Sequence, residues 1–201
     1  MPLIKGGRGS AAPGATASLA ALDSSDAENR WAAARAFAGH AEAVPELAAA
    51  LKHETVPRVR EAILTSLIRT GGAASAEAIV PCLRSENAGL RAAAIEALQA
   101  LPSATASIIV QLFSDPESDV RLLATELARN MKTFDATRLL SGLIEHESHP
   151  NVCAAAVEVL AEVGTVEALP ALEKCAARFA TTPFLPFAIS MAIARISGVE
   201  G

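Results

Sequence analysis

The segment ESDVRLLATELA at residues 117–128 decides the fold of this chain, because three further segments repeat its pattern. Counted from Val120 as position 0, its apolar side chains fall at positions 0, 3, 4, 7 and 8, the spacing of one buried face on an α-helix. The same pattern starts at Val59, Leu90 and Val152, so successive copies are 31, 30 and 32 residues apart. Self-similarity at such a period is typical of a repeat protein.

A second apolar segment precedes each of these helices, so the repeated unit is a pair of helices. The preceding segments are residues 41–51, 74–83, 105–113, 136–144 and 166–176. Short linkers with turn-forming residues, such as Gly71-Gly72, favour antiparallel neighbours in one array. One pair cannot cover its own apolar face, so the pairs stack. We predict an all-α solenoid of about six helix hairpins over residues 14–201, after a flexible tail at 1–13.

Both ends of the array depart from the repeat. In the first unit the pattern is weak, and we place Arg30 at position 0 and Trp31 at position 1, where most other units carry arginine. The tryptophan either closes the end of the core or anchors a partner. Near the C-terminus, Thr182-Pro183 predicts the N-cap and first residue of the last helix. Phe184 and Phe187 in the same apolar run serve either packing or docking, including dimerisation.

The units resemble HEAT repeats, in particular the short bacterial type related to phycobilisome lyase subunits. The shared features are a proline in several first helices (Pro45, Pro81, Pro170), a polar turn, and Val-Arg at the start of the second helix. The resemblance implies a right-handed solenoid whose second helices line the concave surface. It implies little about activity, because solenoids have many unrelated functions.

The resemblance also implies a ladder of ion pairs between units, formed by the arginine at position 1 and an acid six residues before it. In units one to five these two residues are Ser25/Trp31, Glu54/Arg60, Ser85/Arg91, Asp115/Arg121 and Glu147/Cys153. Because the first and fifth units lack the arginine, we expect the ladder to be confined to the middle of the array.

Positions 2 and 6 of the second helices lie outside the buried set and share one side of each helix. The candidate partner-binding residues are Glu61, Ala92, Leu122 and Ala154 at position 2, and Thr65, Glu96, Glu126 and Glu158 at position 6. Small or apolar side chains beside an acidic row fit a groove for a basic amphipathic segment of a protein partner. The alternative interpretation is an ordinary solvated helix face.

The composition argues against several classes of protein. A formal net charge of −5 disfavours nucleic-acid binding, and with one Trp, six Phe and no Tyr the chain lacks the basic, aromatic groove of DNA glycosylases built from similar repeats. No apolar run is long enough for a membrane span, and the first residues lack the apolar core of a signal peptide. We therefore expect a cytoplasmic protein that contacts neither nucleic acid nor a membrane.

No catalytic, metal or cofactor residue is predicted. Cys82, Cys153 and Cys175 are odd in number and far apart, so we interpret them as buried free thiols. The turn histidines, including His146 and His149, are interpreted as polar caps rather than metal ligands. The predicted function is a non-catalytic scaffold or adaptor, in its narrower form in bacterial signalling. The alternatives are a lyase-like enzyme subunit acting on a tetrapyrrole or modified protein, and a structural subunit of a larger complex.

Overall fold

The computed structural model describes residues 18–198, and this part of the chain is built from helices without a β-strand. The predicted tail at residues 1–13 lies outside the described residues. The α-helices are α1 (Ala27–Ala36), α2 (Val44–His53), α3 (Pro57–Thr70), α4 (Gly72–Ile79), α5 (Ala88–Gln99), α6 (Pro102–Phe113), α7 (Ser118–Ala128), α8 (Thr133–His146), α9 (Pro150–Val163), α10 (Leu169–Arg178) and α11 (Leu185–Ser197). Short 3-10 segments cover Leu19–Asp23, Ala41–Ala43, Val80–Arg84 and Val166–Ala168.

The helices form six consecutive hairpins arranged in two layers. In the first hairpin the 3-10 segment Leu19–Asp23 packs against α1, and in the others α2 packs against α3, α4 against α5, α6 against α7, α8 against α9 and α10 against α11. The second helices α1, α3, α5, α7, α9 and α11 each contact the next in turn, so they form a continuous layer. The prediction of an all-α solenoid of about six hairpins is confirmed.

The prolines of the first helices mark the places where the helical geometry changes. Pro45 and Pro170 lie in the first turns of α2 and α10, each directly after a 3-10 segment. Pro81 is the second residue of the 3-10 segment that follows α4. Proline has no backbone N–H to donate, so it is tolerated in a first turn and interrupts a regular α-helix elsewhere.

One continuous core lies between the two layers and extends from Leu22 to Ala192. The position-0 residues Val59, Val120 and Val152 are buried as the pattern predicts. Leu90 is only half-buried, because α3 and α5 leave a groove between them at this point.

The last helix starts two residues later than predicted. Phe184, not Thr182, is the N-cap of α11, and Pro186, not Pro183, lies in its first turn. The prediction failed because two prolines three residues apart fit a helix start equally well, and Pro183 instead closes a tight turn in which its carbonyl accepts a bond from the N–H of Leu185 at 2.8 Å. Phe184 at the centre of this turn has a φ of 65°.

Candidate protein-binding surface

Arg30 fixes the register of the first unit. Its Nη1 donates to the carbonyls of Ser24 and Ser25, and its Nε and Nη2 donate to the carboxylate of Glu54 at 2.7 and 3.0 Å. Arg121 makes the same set of bonds, to the carbonyls six and five residues before it and to a carboxylate of the next unit. Arg30 therefore occupies position 1, and Trp31 occupies position 2, one place later than the sequence analysis put it.

The ion pairs made by a position-1 arginine join the first unit to the second and the fourth unit to the fifth, so the prediction of a ladder confined to the middle was wrong. Each pair joins the arginine of one unit to the acid of the following unit, as in Arg30–Glu54 and Arg121–Glu147. Both carboxylates also accept bonds from backbone N–H groups at the start of their own second helix, from Val56 in one case and His149 in the other. Each pair thus connects two adjacent turns.

These bonds lower the pKa of both carboxyl groups. For Glu54 the largest effect is the hydrogen bond from Arg30, which outweighs the effect of burial. For Glu147 burial is the largest single effect and raises the pKa, but the bonds from Arg121 and from the N–H of His149 together outweigh it. Both side chains are only 3% exposed.

The middle of the array has a different arrangement. Asp115 pairs with Arg84, the last residue of the 3-10 segment after α4 in the third unit, while Arg91 at position 1 donates to the carbonyl of Ser85. Arg60 would need an acid at position 85, where the chain has serine, and among residues 18–198 it has no carboxylate within 4 Å. The boundary between the second and third units therefore lacks this ion pair.

Cys153 replaces the position-1 arginine in the fifth unit. Its thiol contacts the carbonyl oxygen of Glu147 at 3.6 Å, six residues earlier, as an arginine would. Arg178 from α10 supplies the missing cation, donating to that carbonyl at 3.0 Å and lying 3.9 Å from the sulfur of Cys175. As predicted, all three cysteines are free and buried.

The predicted residues at positions 2 and 6 lie along one surface of the second-helix layer, which we call the second-helix face. Glu61, Thr65, Ala92, Glu96 and Glu158 are exposed on it. Leu122 and Ala154 are half-buried and pack against the core, so their contribution to the surface is smaller than predicted.

A groove of about 650 Å³ opens on this face between α3 and α5; we call it the central groove. Apolar side chains line much of it, including Leu64, Ile68 and Leu90. Glu61 and Glu96 also line it. Among the described residues, neither acid has a lysine, arginine or histidine nitrogen within 4 Å. The groove therefore combines apolar surface with two carboxylates that, among the described residues, have no cation within 4 Å, and Arg60 also lines it.

Glu126 differs from the other acids of its row. Arg129 lies 3.2 Å from its carboxylate and also pairs with Glu162, so Glu126 already has a cation partner within the protein, which it shares with a second acid. Arg129 follows Glu126 by three residues, so this contact could have been predicted from the sequence, whereas the pair with Glu162 could not, because it joins two units.

The C-terminal phenylalanines are exposed. The exposed fractions are 87% for Phe184 and 68% for Phe187, and Met191 one turn further along α11 is 55% exposed. Within residues 18–198, most of the surface of these side chains is therefore left uncovered at the end of the array.

Three arginines beside Trp31 were missed by the sequence analysis. Trp31 is half-buried, and a groove of about 390 Å³ next to it is also lined by Arg35, Arg58 and Arg69; we call it the Trp31 groove. The signal was available: Arg30, Arg60, Arg91 and Arg121 recur at nearly constant spacing, and aligning them places Arg35 at position 6.

Two negative observations apply to residues 18–198. No helix in this range is long and apolar enough to cross a membrane. The same residues contain no group of three or more His, Cys, Asp or Glu side chains placed to hold a metal ion.

Comparison with known proteins identifies the family. The family model described as HEAT repeats matches residues 16–99 and 105–179, so this chain belongs to the HEAT-repeat proteins, as its sequence pattern predicted. A search of curated proteins finds no match.

Solved structures with a similar arrangement include natural and designed proteins. The CpcE–CpcF complex of phycocyanin lyase from Nostoc sp. PCC7120 is 16% identical, with 97% of this chain and 100% of that chain covered and a TM-score of 0.44. An engineered protein is 18% identical over 90% of this chain and 97% of its own, with a TM-score of 0.45. A designed armadillo repeat protein is 16% identical over 89% and 98%, with a TM-score of 0.40.

Proposed function

We propose that this chain is a non-catalytic scaffold or adaptor that binds a basic amphipathic segment of another protein in the central groove. The supporting observation is the groove itself, with Leu64, Ile68 and Leu90 beside the unpaired acids Glu61 and Glu96. An amphipathic helix would bury its apolar side on the first three residues and place lysine or arginine beside the two acids. A cytoplasmic role in bacterial signalling is the narrower form of this proposal.

The repeat fold supports such a role on physical grounds. Stacked hairpins present a surface that is already ordered, so binding carries little entropic cost for the scaffold. In this chain the central groove lies between α3 and α5, at the boundary where the ion pair between neighbouring units is missing. Ser85, which stands where most other units have an acid, therefore lies at the same boundary between units as the groove.

Affinity capture with a charge-reversed variant tests the proposal. Glu61, Glu96 and Glu158 are exposed and unpaired, so changing all three to lysine should leave folding intact and abolish capture of the partner from a lysate of the source organism. The captured protein should then bind through a basic amphipathic segment, mapped by truncation and fluorescence anisotropy.

The matched control changes three acids of the first-helix layer. Glu46, Glu77 and Glu173 are exposed on α2, α4 and α10, and changing them to lysine alters the net charge by the same amount. This variant should retain the partner. Equal capture by wild type and the Glu61, Glu96 and Glu158 variant would overturn the proposal.

A lyase-like enzyme subunit remains the catalytic alternative. It requires a reactive side chain facing a pocket, whereas Cys82, Cys153 and Cys175 are at most 7% exposed, which supports the scaffold proposal. The absorbance spectrum of the purified protein separates the two: a stoichiometric bilin band would favour the enzyme.

A structural subunit docked through its C-terminal end is the second candidate function. Phe184, Phe187 and Met191 together favour it, because exposed apolar groups at the end of a solenoid leave a surface that another molecule could cover. Molar mass measured over a range of concentrations tests it, with Phe187→Ser as the variant that should remove any association.

A further inference from the structure

The row of position-6 residues changes sign along the second-helix face. With the register fixed by Arg30, this row reads Arg35, Thr65, Glu96, Glu126 and Glu158 from the first unit to the fifth. The first unit therefore presents a cation where the later units present carboxylates. A partner that lies along this face meets opposite charges at its two ends.

Trp31 and the surrounding arginines form a built surface at the basic end. The guanidinium carbons of Arg35 and Arg58 lie 4.6 and 4.1 Å from the centre of the indole ring. Contacts of this kind hold a guanidinium plane against the ring and leave its N–H groups free to donate to a carboxylate. Arg69 lines the same groove from the last turn of α3.

The positive charge of this surface is only partly balanced. Arg58 pairs with Glu28 at 2.8 Å, but both side chains are 59% exposed, so the pair is weak. Arg35 and Arg69 are exposed and, among the residues that the structure describes, have no carboxylate within 4 Å. Among residues 18–198, Glu61 is the one acid that lines the Trp31 groove.

We infer that the Trp31 groove binds an acidic stretch of the same partner whose basic amphipathic segment occupies the central groove, an inference that rests on the proposed function. The two grooves share Glu61 and Thr65, so one continuous segment can occupy both. Peptide carboxylates fit better than nucleic acid, because a phosphate backbone following this face would approach Glu61 and Glu96. The bound segment is therefore divided into an acidic part and a basic part.

Peptide probes test this inference with the intact chain. All probes share an amphipathic helix with a lysine-rich polar side and contain no tryptophan; one has no extension, and the others carry a short run of glutamates at the N- or C-terminal end. Calorimetry gives their affinities, and Trp31, the one tryptophan of the sequence, reports contact through its fluorescence. One extended probe should bind roughly five-fold more tightly than the plain probe and alter the emission of Trp31.

Two double variants test whether the arginines cause the higher affinity of the extended probe. In Arg35→Gln/Arg69→Gln the extended probe should bind no more tightly than the plain probe, and the plain probe should bind as it does to wild type. Lys52→Gln/Arg138→Gln removes two exposed cations from the first-helix layer and should keep the advantage. Circular dichroism confirms that each variant is folded.

The outcomes distinguish this inference from the proposed function. Equal affinity of plain and extended probes for wild type, or an advantage that persists in Arg35→Gln/Arg69→Gln, would overturn the inference and leave the proposed function standing. Tighter binding of single-stranded DNA than of the glutamate probes would also overturn it. If the plain probe does not bind but a glutamate peptide alone binds and changes Trp31 emission, the central-groove proposal fails and the acidic site stands.

Discussion

Arg121 and Glu147 form a two-bond ion pair across the boundary between the fourth and fifth units, with Nε and Nη2 donating to opposite carboxylate oxygens at 2.6 and 3.0 Å. The arginine also binds two carbonyls of its own turn, and the carboxylate accepts a backbone N–H of the next turn. These bonds join five groups: the guanidinium, the carboxylate, two carbonyls and one backbone N–H. Removing the arginine leaves the buried carboxylate without its cation.

Arg121→Ala should destabilise the protein strongly. Because it leaves the carboxylate of Glu147 buried without its cation, we expect a loss of about 3 kcal/mol in the free energy of unfolding. Urea denaturation measures it. Arg138→Ala, at an exposed arginine, should change stability by no more than about 0.5 kcal/mol. A loss in Arg121→Ala as small as in this control would contradict the ion pair.

Lowering the pH should destabilise the protein through the carboxyl group of Glu147. The pKa of Glu147 is lower in the folded protein than in the unfolded chain, so its stabilising contribution is present above the unfolded value and is lost as the pH falls through the lower folded value. Melting temperatures should therefore fall below about pH 4. Glu147→Gln should melt lower at neutral pH and lose less on acidification, whereas Glu46→Gln, at an exposed acid, should follow wild type.

Ser85→Asp should restore the missing ion pair between the second and third units. Aspartate fits the turn, because Asp115 in the equivalent place accepts the N–H two residues on, as Ser85 does now. Pairing with Arg60 should stabilise the protein by about 0.5–1 kcal/mol. The gain should be absent in Ser85→Asn and in an Arg60→Gln background; a gain that survives Arg60→Gln would refute this explanation.

Phe184→Gly should stabilise the protein. A φ of 65° is strained for phenylalanine and unstrained for glycine, and the 87% exposed side chain contributes little packing. We expect a gain of about 1 kcal/mol by thermal or urea denaturation. Phe184→Ala keeps the Cβ atom and should show no such gain. Equal gains in stability in the two variants would mean that the phenylalanine side chain, not the backbone conformation, destabilises the wild type.

Much of the fold was predictable, because helix formation and burial depend on local spacing. The helical spacing of apolar residues around Val120 identified the second helices and their buried faces, and the short linkers identified the hairpins. The alignment of the weak first unit was wrong by one residue and the start of the last helix by two. In both places the local sequence is compatible with two positions.

The sequence by itself determined the repeat, the hairpins and the row of exposed acids, because each depends on residues close together in the chain. Only the tertiary structure decided that Arg30 pairs with Glu54, that Arg129 pairs with Glu162, and that Trp31 lies beside three arginines. These contacts join side chains from different turns or units. The stacking of the hairpins determines which side chains come close together, and the local spacing of residues does not determine that geometry.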